Sequence, residues 1–158
     1  RPTPQMRSVI DVRFHAGLRV YNACLGEALR RGRVLHADQR FEQAKAMAKG
    51  KDQDQAFQEI KEEAGFSEGA IMSFGSSLRK SFVRDQVLSQ EAQTLARRAF
   101  RAVERWHYGR GGKPRFKAAR RGIRSLECKD GCGSLRVKAN QGGELGGLQW
   151  GKGLAVPF

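Results

Sequence analysis

The sequence lacks any long apolar run. No stretch approaches the roughly 18 consecutive apolar residues that a membrane-spanning helix needs, so we expect no membrane partner. There are only three cysteines, an odd number, which argues against a disulfide framework and indicates a reducing compartment. No signal-peptide pattern opens the chain, and we therefore expect a cytoplasmic location.

Acidic residues are scarce, and between Arg105 and Leu126 there are none. The 158 residues include 30 Lys and Arg but 16 Asp and Glu, which gives a formal net charge of +14. Self-repulsion at this level destabilises a compact chain unless a polyanion neutralises it. The composition therefore favours nucleic acid as the partner.

Recognisable catalytic patterns are missing as well. His15 and His36 have no serine or cysteine partner at a known spacing, and no phosphate-binding G-x-x-x-x-G-K-[ST] motif occurs. Cys128 and Cys132 form a C-x-x-x-C pattern, but a zinc site needs four ligands and no second pair follows. A hairpin with two thiols is the favoured interpretation. We predict no catalytic residue, metal site or other cofactor in this chain.

The first two thirds of the sequence have helical periodicity. Thr3 and Pro4 predict a helix start, with an N-cap followed by proline at the first helical position. An apolar stripe then runs to Gly32, where we expect the helix to end. The stripe consists of Met6, Ile10, Phe14, Leu18, Tyr21, Leu25 and Ala28. Further helices are predicted at about 37–49, 52–64, 67–82 and 86–108.

The last third is rich in glycine and contains four short alternating runs, SLECK, SLRVKA, GLQWG and LAVPF, that have the length of strands. The sequence thus predicts an α+β fold. Residues 1–108 would form an N-terminal helical bundle, 109–124 a basic linker, and 125–158 a small, incomplete antiparallel β-barrel or sheet. Four short strands bury little and leave an edge exposed, so we expect further protein to complete this part.

The last predicted helix and the linker carry the candidate RNA-binding residues. The helix has an apolar face and, opposite it, arginines; the linker adds more cations and one aromatic ring for base stacking. The candidates are Arg97, Arg98, Arg101, Arg105, Arg110, Lys113, Arg115, Phe116, Lys117, Arg120, Arg121 and Arg124. The alternative interpretation is a solvated basic linker with Trp106 and Phe116 inside the core.

Three segments resemble the N-terminal half of the transposon-encoded TnpB proteins and the related type V CRISPR effectors. The opening PTPQ, followed by YNACL at 21–25, is similar to the family's PTPEQ…YN-x-x-L start. The segment AFRA at 99–102 resembles the R-A-F-x-A-F helix, and KPRFK at 113–117 resembles the G-x-P-R-F-K loop. These segments span most of residues 2–120 in the family's order. The tail resembles the start of the family's wedge domain.

The resemblance implies an RNA-guided DNA-binding protein of the prokaryotic cytoplasm. Its partners would be a guide RNA, held by a helical recognition lobe and the wedge domain, and a target DNA. In that family, cleavage belongs to a RuvC-like nuclease with three acidic metal ligands, and a zinc ribbon lies further along. These residues contain neither, so the resemblance implies the N-terminal portion of a longer protein. Magnesium is expected only in a nuclease domain outside this chain, and DNA cleavage by the parent protein stays open.

By the same resemblance the helical lobe faces DNA beside the target. A cluster of small polar and basic side chains would let a duplex backbone approach closely, and its residues are Ser73, Ser76, Ser77, Arg79 and Lys80. The alternative interpretation of this cluster is a helix junction loosened by glycine.

Two other functions compete with the one that the resemblance implies. The chain can be read as a free-standing basic RNA-binding module of a ribonucleoprotein, with a structural rather than a catalytic role. A helix-turn-helix regulator that uses residues 67–108 is a third possibility, although no clear turn and recognition helix are visible there.

Overall fold

The computed structural model describes residues 3–128, 135–139, 142–143, 145–151 and 154–157. Within these ranges, helices precede a three-stranded sheet, which confirms the predicted α+β class. The helices are α1 (Pro4–Ala37), α2 (Gln39–Ala46), α3 (Lys51–Glu63), α4 (Glu68–Phe82) and α5 (Ser89–His107), and the strands are β1 (Leu135–Ala139), β2 (Leu145–Trp150) and β3 (Ala155–Pro157). No helix in the described ranges is long and apolar enough to cross a membrane.

Helix α1 begins where the sequence predicts and ends later. The Thr3 hydroxyl accepts the backbone N–H of Met6 at 3.3 Å, as an N-cap should. The predicted end at Gly32 is wrong, because Gly32 is buried inside a helix that continues to Ala37. A Cβ at Gly32 would collide with the imidazole of His107 in α5. This glycine therefore serves helix packing and does not end the helix.

Helix α2 packs against the end of α1 and against α3 through the aromatic ring of Phe41, which contacts His36 and Phe57. The rings of Phe41 and Phe57 meet edge to face with centroids 5.4 Å apart. Asp38 caps α2 by accepting the N–H of Arg40 at 2.9 Å, which shortens the predicted helix at its start. Helix α3 ends as predicted at Gly65, whose φ of +61° lies in the left-handed region that glycine adopts readily.

Helix α4 is continuous through its glycines. Gly75 is buried, and a Cβ built on it would lie 3.0 Å from the Ala96 Cβ and 3.2 Å from the Cys24 Sγ. The missing side chain lets α4 approach both α5 and α1. The alternative of a glycine-loosened junction is thus wrong for Gly75, which tightens the packing.

The main core lies where α1, α4 and α5 meet. Leu25, Ile71 and Leu95 are at most 1% exposed, and Val103 is fully buried on the predicted apolar stripe of α5. Complete burial of such a side chain stabilises the fold by about 1.5–3 kcal/mol. The stripe therefore packs α5 against the other two helices.

The sheet is antiparallel with the order β1-β2-β3. Leu135 pairs with Trp150 and Ala155 pairs with Gln149, so β2 is the central strand. The first predicted strand, SLECK, is wrong over its described residues 125–128, which form no strand. The Glu127 carbonyl accepts a hydrogen bond from the Thr94 hydroxyl at 2.6 Å. This segment is therefore bonded to the side of α5 and not to a neighbouring strand.

One tryptophan joins the sheet to the helices. The indole N–H of Trp150 donates to the buried carboxylate of Glu91, which also accepts the backbone N–H of Leu88 at 2.8 Å. The guanidinium of Arg13 lies over the Trp150 ring, 5.1 Å from its centroid. The Phe14 ring is nearly perpendicular to the Trp150 ring, with the two centroids 6.1 Å apart. The sheet is therefore attached to both α1 and α5 at its central strand.

Candidate nucleic-acid interface

The arginines of α5 do not form one surface. The side chains of Arg97 and Arg101 both donate to the carboxylate of Glu68 in α4, at 2.8 and 3.1 Å. These two cations are therefore engaged by an acid at the α4–α5 contact. Arg105 is exposed and lies beside Glu104 in a shallow depression.

Arg98 faces the linker instead. Its Nη1 lies 3.2 Å from the Ser125 carbonyl, the Ser125 hydroxyl and the Glu127 carboxylate. The side chain of Arg98 is 33% exposed, so part of the guanidinium stays in solvent. The contact fixes the end of the linker against α5 and places this cation next to the linker's own basic residues.

The linker is held at its middle by Asn22 of α1. The Asn22 side-chain amide donates to the Lys117 carbonyl and accepts the Lys117 N–H, both at 2.9 Å. The two bonds satisfy the backbone of Lys117 in the way that a neighbouring strand would. The ammonium group of Lys117 lies 5.3 Å from the centroid of the ring of Tyr21, the residue that precedes Asn22 in α1.

The far end of the linker is held by apolar contacts. Ile123 is 5% exposed and packs with Leu126 on α1 above Gly17, where a Cβ would lie within 2.8 Å of both side chains. The chain between these two anchors must therefore loop outwards. It forms a turn in which the Gly122 N–H donates to the Ala118 carbonyl at 3.1 Å, and Gly122 has a φ of +56°.

This outward turn, with the segment before it, forms a groove of about 840 Å³ that we call the cationic groove. Its lining consists of Arg98, Arg115, Phe116, Lys117, Ala118, Arg120, Arg121, Gly122 and Arg124. No carboxylate among the described residues lines it. Glu127 is paired with Arg98 from outside this lining, and the other groove cations leave a positive surface for an anion.

Most groove cations have no protein partner in the described ranges. The side chains of Arg115, Arg120 and Arg121 are exposed, and they make no hydrogen bond or ion pair with a described residue. Arginine presents five N–H donors in a planar fork that matches the oxygens of a phosphate. Several such donors on one turn can contact successive phosphates of a nucleic-acid strand.

Two predicted RNA-binding cations lie beside the groove on aromatic rings. The Lys113 ammonium is 5.5 Å from the Trp106 centroid, and the Arg110 guanidinium is 6.0 Å from the Tyr108 centroid. Trp106 packs against the core, as expected, while Phe116 is 59% exposed. The alternative in which Phe116 enters the core is therefore wrong.

The DNA-binding candidates on α4 separate into free and engaged groups. Ser73, Ser77 and Lys80 are exposed, and their spacing places them on one face of the helix. Arg79 instead donates to the carbonyls of Val87 and Arg84, at 2.8 and 3.3 Å, and thereby holds the connection between α4 and α5.

Ser76 is only partly exposed, and the Ser77 hydroxyl donates to the Ser73 carbonyl at 3.1 Å within the helix. The accessible part of this cluster is smaller than its sequence suggests.

Titratable groups elsewhere are explained by burial or by ion pairs. Burial raises the pKa of the Cys24 thiol to about 12, and hydrogen bonds from Arg30 and Arg31 lower the pKa of Glu27 to about 2. In the described ranges no group of three or more His, Cys, Asp or Glu side chains is placed to hold a metal ion. Cys132, one half of the C-x-x-x-C pattern, lies outside the described residues.

Residues missed by the sequence analysis complete the site. Asn22 belongs to a motif quoted only for its resemblance, yet it positions the linker. Gly17 and Gly26 look like weak points of a helix, and both lie beneath linker side chains. Gly17 lies beside the apolar stripe of α1, whereas Gly26 lies on the opposite side of the helix, so no single sequence pattern identifies both.

Comparisons with protein-family models, with curated proteins and with solved structures found no match to this chain.

Proposed function

We propose that the cationic groove binds the phosphate backbone of an RNA. We further propose that the chain is the guide-RNA- and target-DNA-binding portion of a TnpB-like or type V CRISPR effector, whose RuvC-like nuclease lies outside it. One observation carries the proposal: six cations line a single groove, and Arg98 alone among them is paired with a described carboxylate, that of Glu127. A surface of this kind gains free energy when phosphates displace its counterions.

The way in which the linker is anchored supports a binding role. Asn22 and Ile123 hold the backbone on either side of the turn, while Arg120 and Arg121 between them stay exposed. Because the turn is already ordered, an RNA would lose less entropy in binding it than in binding a disordered basic tail. A linker that merely connects two domains has no need of such anchors.

The target-DNA part of the proposal concerns α4. Ser73, Ser77 and Lys80 form its accessible polar face, where short side chains would permit a duplex backbone to approach. Arg79 belongs to the fold rather than to this surface, because its guanidinium holds two backbone carbonyls. We therefore assign DNA contacts to the three exposed residues only.

The experiment is to isolate the protein from cells with its bound nucleic acid and to sequence what it retains. The proposal expects one structured RNA with a constant part joined to a variable end. Mixed ribosomal RNA would instead support the free-standing ribonucleoprotein module, and duplex DNA alone would contradict an RNA-binding role.

A variant with Arg120→Ala and Arg121→Ala tests whether the groove holds that RNA. Both side chains are exposed, so the fold should tolerate their loss, and we expect the amount of retained RNA to fall several-fold. The matched control is Lys49→Ala with Lys51→Ala, which removes the same charge from exposed residues at the start of α3 that do not line the groove. Equal loss of RNA from both variants would refute a groove-specific contact.

A further inference from the structure

A second concave surface adjoins the cationic groove. It has a volume of about 720 Å³, and we call it the aromatic groove. It is lined by Gly26, Leu29, Arg33, Trp106, Gly112, Lys113, Pro114, Arg115 and Phe116. Arg115 and Phe116 belong to both grooves, so the two surfaces are continuous at these residues.

The Phe116 ring covers α1 at a glycine. A Cβ built on Gly26 would lie 3.7 Å from two atoms of the Phe116 ring, which is ordinary van der Waals contact. The ring thus lies against the helix, and Leu29 supplies the neighbouring apolar surface. A side chain much larger than alanine at position 26 would displace the ring.

Phe116 is exposed although its backbone is fixed. The next residue, Lys117, is held by two hydrogen bonds of 2.9 Å to Asn22, and Pro114 restricts the backbone on the other side. A phenylalanine that is 59% exposed on an ordered segment leaves apolar surface in water. Such a ring, placed between two grooves, has the geometry of a stacking platform.

The rim of the aromatic groove is cationic. Arg33, Lys113 and Arg115 line it, and no described carboxylate does. A ligand that matches both properties is planar and aromatic in its centre and anionic at its edge. An unpaired nucleotide has this character, since its base can stack while the phosphates on either side meet the cations.

We propose that the aromatic groove holds an unpaired nucleobase of the same RNA whose phosphates lie in the cationic groove. This inference rests on the proposed function and adds to it a preference for single-stranded over duplex RNA. The base stacks on the exposed side of the Phe116 ring, and Arg115 contacts the phosphate that passes from one groove to the other. A base inside a duplex is already paired and stacked, so it cannot enter.

The test compares two RNA probes that have the same number of phosphates. One is a single-stranded oligouridylate of about twelve nucleotides, and the other is an oligomer of the same length that lacks the bases. This length lies within the range of about 4–16 nucleotides that single-strand-binding sites cover. We expect the full chain to bind the uridylate about tenfold or more tightly, since stacking on an aromatic side chain contributes by such factors per base. The measured quantity is the ratio of the two Kd values at one salt concentration.

Three variants separate stacking from phosphate binding. Phe116→Ala and Gly26→Leu should bring the ratio close to one, whereas Phe116→Trp should preserve it. Arg120→Ala should weaken both probes by the same factor and leave the ratio unchanged. Because Phe116 is exposed, Phe116→Ala decides the matter even if Gly26→Leu destabilises the fold.

The possible failures are distinguishable. If the wild-type chain binds both probes equally, the base site is refuted and the phosphate-binding groove stands. The same holds if Phe116→Ala leaves the ratio unchanged. If neither probe binds, the proposed function fails, and the base site fails with it.

Discussion

At the scale of single residues, Asn22 determines how the basic segment is presented. Its amide reaches the backbone of Lys117, 95 positions away in the chain, with one donor and one acceptor. No local pattern in a sequence encodes such a contact, because it forms only when the fold brings α1 and the linker together. The sequence prediction included the cations of the cationic groove together with others that lie elsewhere, such as Arg97 and Arg101, and it could not show what holds the linker in place.

We expect Asn22→Ala to lower the free energy of unfolding by about 1–3 kcal/mol, since two hydrogen bonds are lost and each contributes about 0.5–1.5 kcal/mol. The amide proton of Lys117 should then exchange with solvent much faster, which hydrogen-exchange measurements can follow. Asn22→Asp is the control, because the carboxylate still accepts the Lys117 N–H and should keep that amide protected. An unchanged exchange rate of the Lys117 amide in Asn22→Ala would show that the two hydrogen bonds from Asn22 are not needed to hold the linker.

His36 and His107 form a second residue-scale feature. Their rings stack with centroids 4.4 Å apart at the contact between the end of α1 and the end of α5. Burial, and then the nearby Lys45, lower the pKa of His36, while burial, and then His36 itself, lower the pKa of His107. The folded protein therefore favours both rings in their neutral form.

Stability should consequently fall as the solution is made mildly acidic. The folded pKa of each ring lies below the ordinary value of 6.5, so the unfolded chain binds more protons in this range. The histidine contribution is complete above about pH 6.5 and is lost as the pH falls through the lowered values. Urea titrations at about pH 7.5 and about pH 5.5 measure the difference, above the range in which carboxylates protonate.

His36→Gln serves as the comparison, because it removes one titrating ring and the neighbouring charge of its protonated form. The loss of stability between the two pH values should become smaller in this variant. A variant that loses as much stability as the wild type would assign the pH dependence to other groups.

At the scale of elements, glycines within α1 and α4 set how closely other segments pack. A Cβ at Gly32 would overlap the His107 ring, whereas a Cβ at Gly26 would make only ordinary contact with Phe116. Both positions are internal to the same helix, so their intrinsic effect on helix stability is equal. The difference between them lies in the neighbouring side chain.

We therefore expect alanine to have opposite effects at these two positions. Gly26→Ala should stabilise the protein by up to about 1 kcal/mol, the usual helix advantage of alanine over glycine. Gly32→Ala should destabilise it, since the His107 ring is confined by His36 and Phe66 and cannot move aside freely. Thermal unfolding of the two variants checks the signs, and stabilisation by both would contradict the packing role of Gly32.

Sequence patterns predicted the bounds of α2 to α5 to within about three residues, whereas the predicted end of α1 and the first predicted strand were wrong. Thr3 acts through a hydrogen bond to a residue three positions away, so the start of α1 could be read directly. Gly32 and the run SLECK were misassigned because their conformation depends on α5, which supplies His107 to one and Thr94 to the other. Local propensity carries no information about such partners.

The same distinction applies to the arginines of α5. Periodicity placed Arg97, Arg98 and Arg101 on the polar side of the helix correctly. It could not show that Arg97 and Arg101 donate hydrogen bonds to the Glu68 carboxylate of α4. Nor could it show that Arg98 contacts Ser125, just after the linker. Ion-pair partners from other elements decide which cations remain available to a ligand.

At the scale of the whole molecule, the helices and the sheet are joined through a buried carboxylate. Glu91 is 1% exposed and accepts hydrogen bonds from the Trp150 indole and the Leu88 backbone. The first bond attaches the central strand of the sheet to α5, and the second caps that helix. The Glu91 side chain therefore stabilises both the start of α5 and the attachment of the sheet to this helix.

Glu91→Ala should lower the free energy of unfolding by about 2–4 kcal/mol, because it leaves two buried N–H groups without an acceptor. Tryptophan fluorescence should also shift as water reaches Trp150. Glu91→Gln retains one carbonyl oxygen as an acceptor and should have an intermediate effect. A loss below about 1 kcal/mol in Glu91→Ala would mean that the sheet is attached mainly by the apolar contacts of Trp150.

Six of the 30 Lys and Arg side chains line the cationic groove, and the others are distributed over the rest of the chain. With a net charge of +14, the chain would bind RNA weakly over much of its surface, so affinity alone cannot locate a site. The salt dependence of binding can locate the site, since each phosphate contact contributes about 0.7–0.9 to the slope of log affinity against log salt. Removing a true contact therefore changes the slope, whereas removing a distant charge does not.

The most direct measurement is a salt titration of RNA binding by three proteins: the wild type, the variant with Arg120→Ala and Arg121→Ala, and the control with Lys49→Ala and Lys51→Ala. If the cationic groove holds the phosphates, the wild-type slope is about −4 to −5 for six contacts. The groove variant then loses about 1.4–1.8 of it, and the control keeps the wild-type value. Equal slopes for the groove variant and the wild type would contradict the central claim.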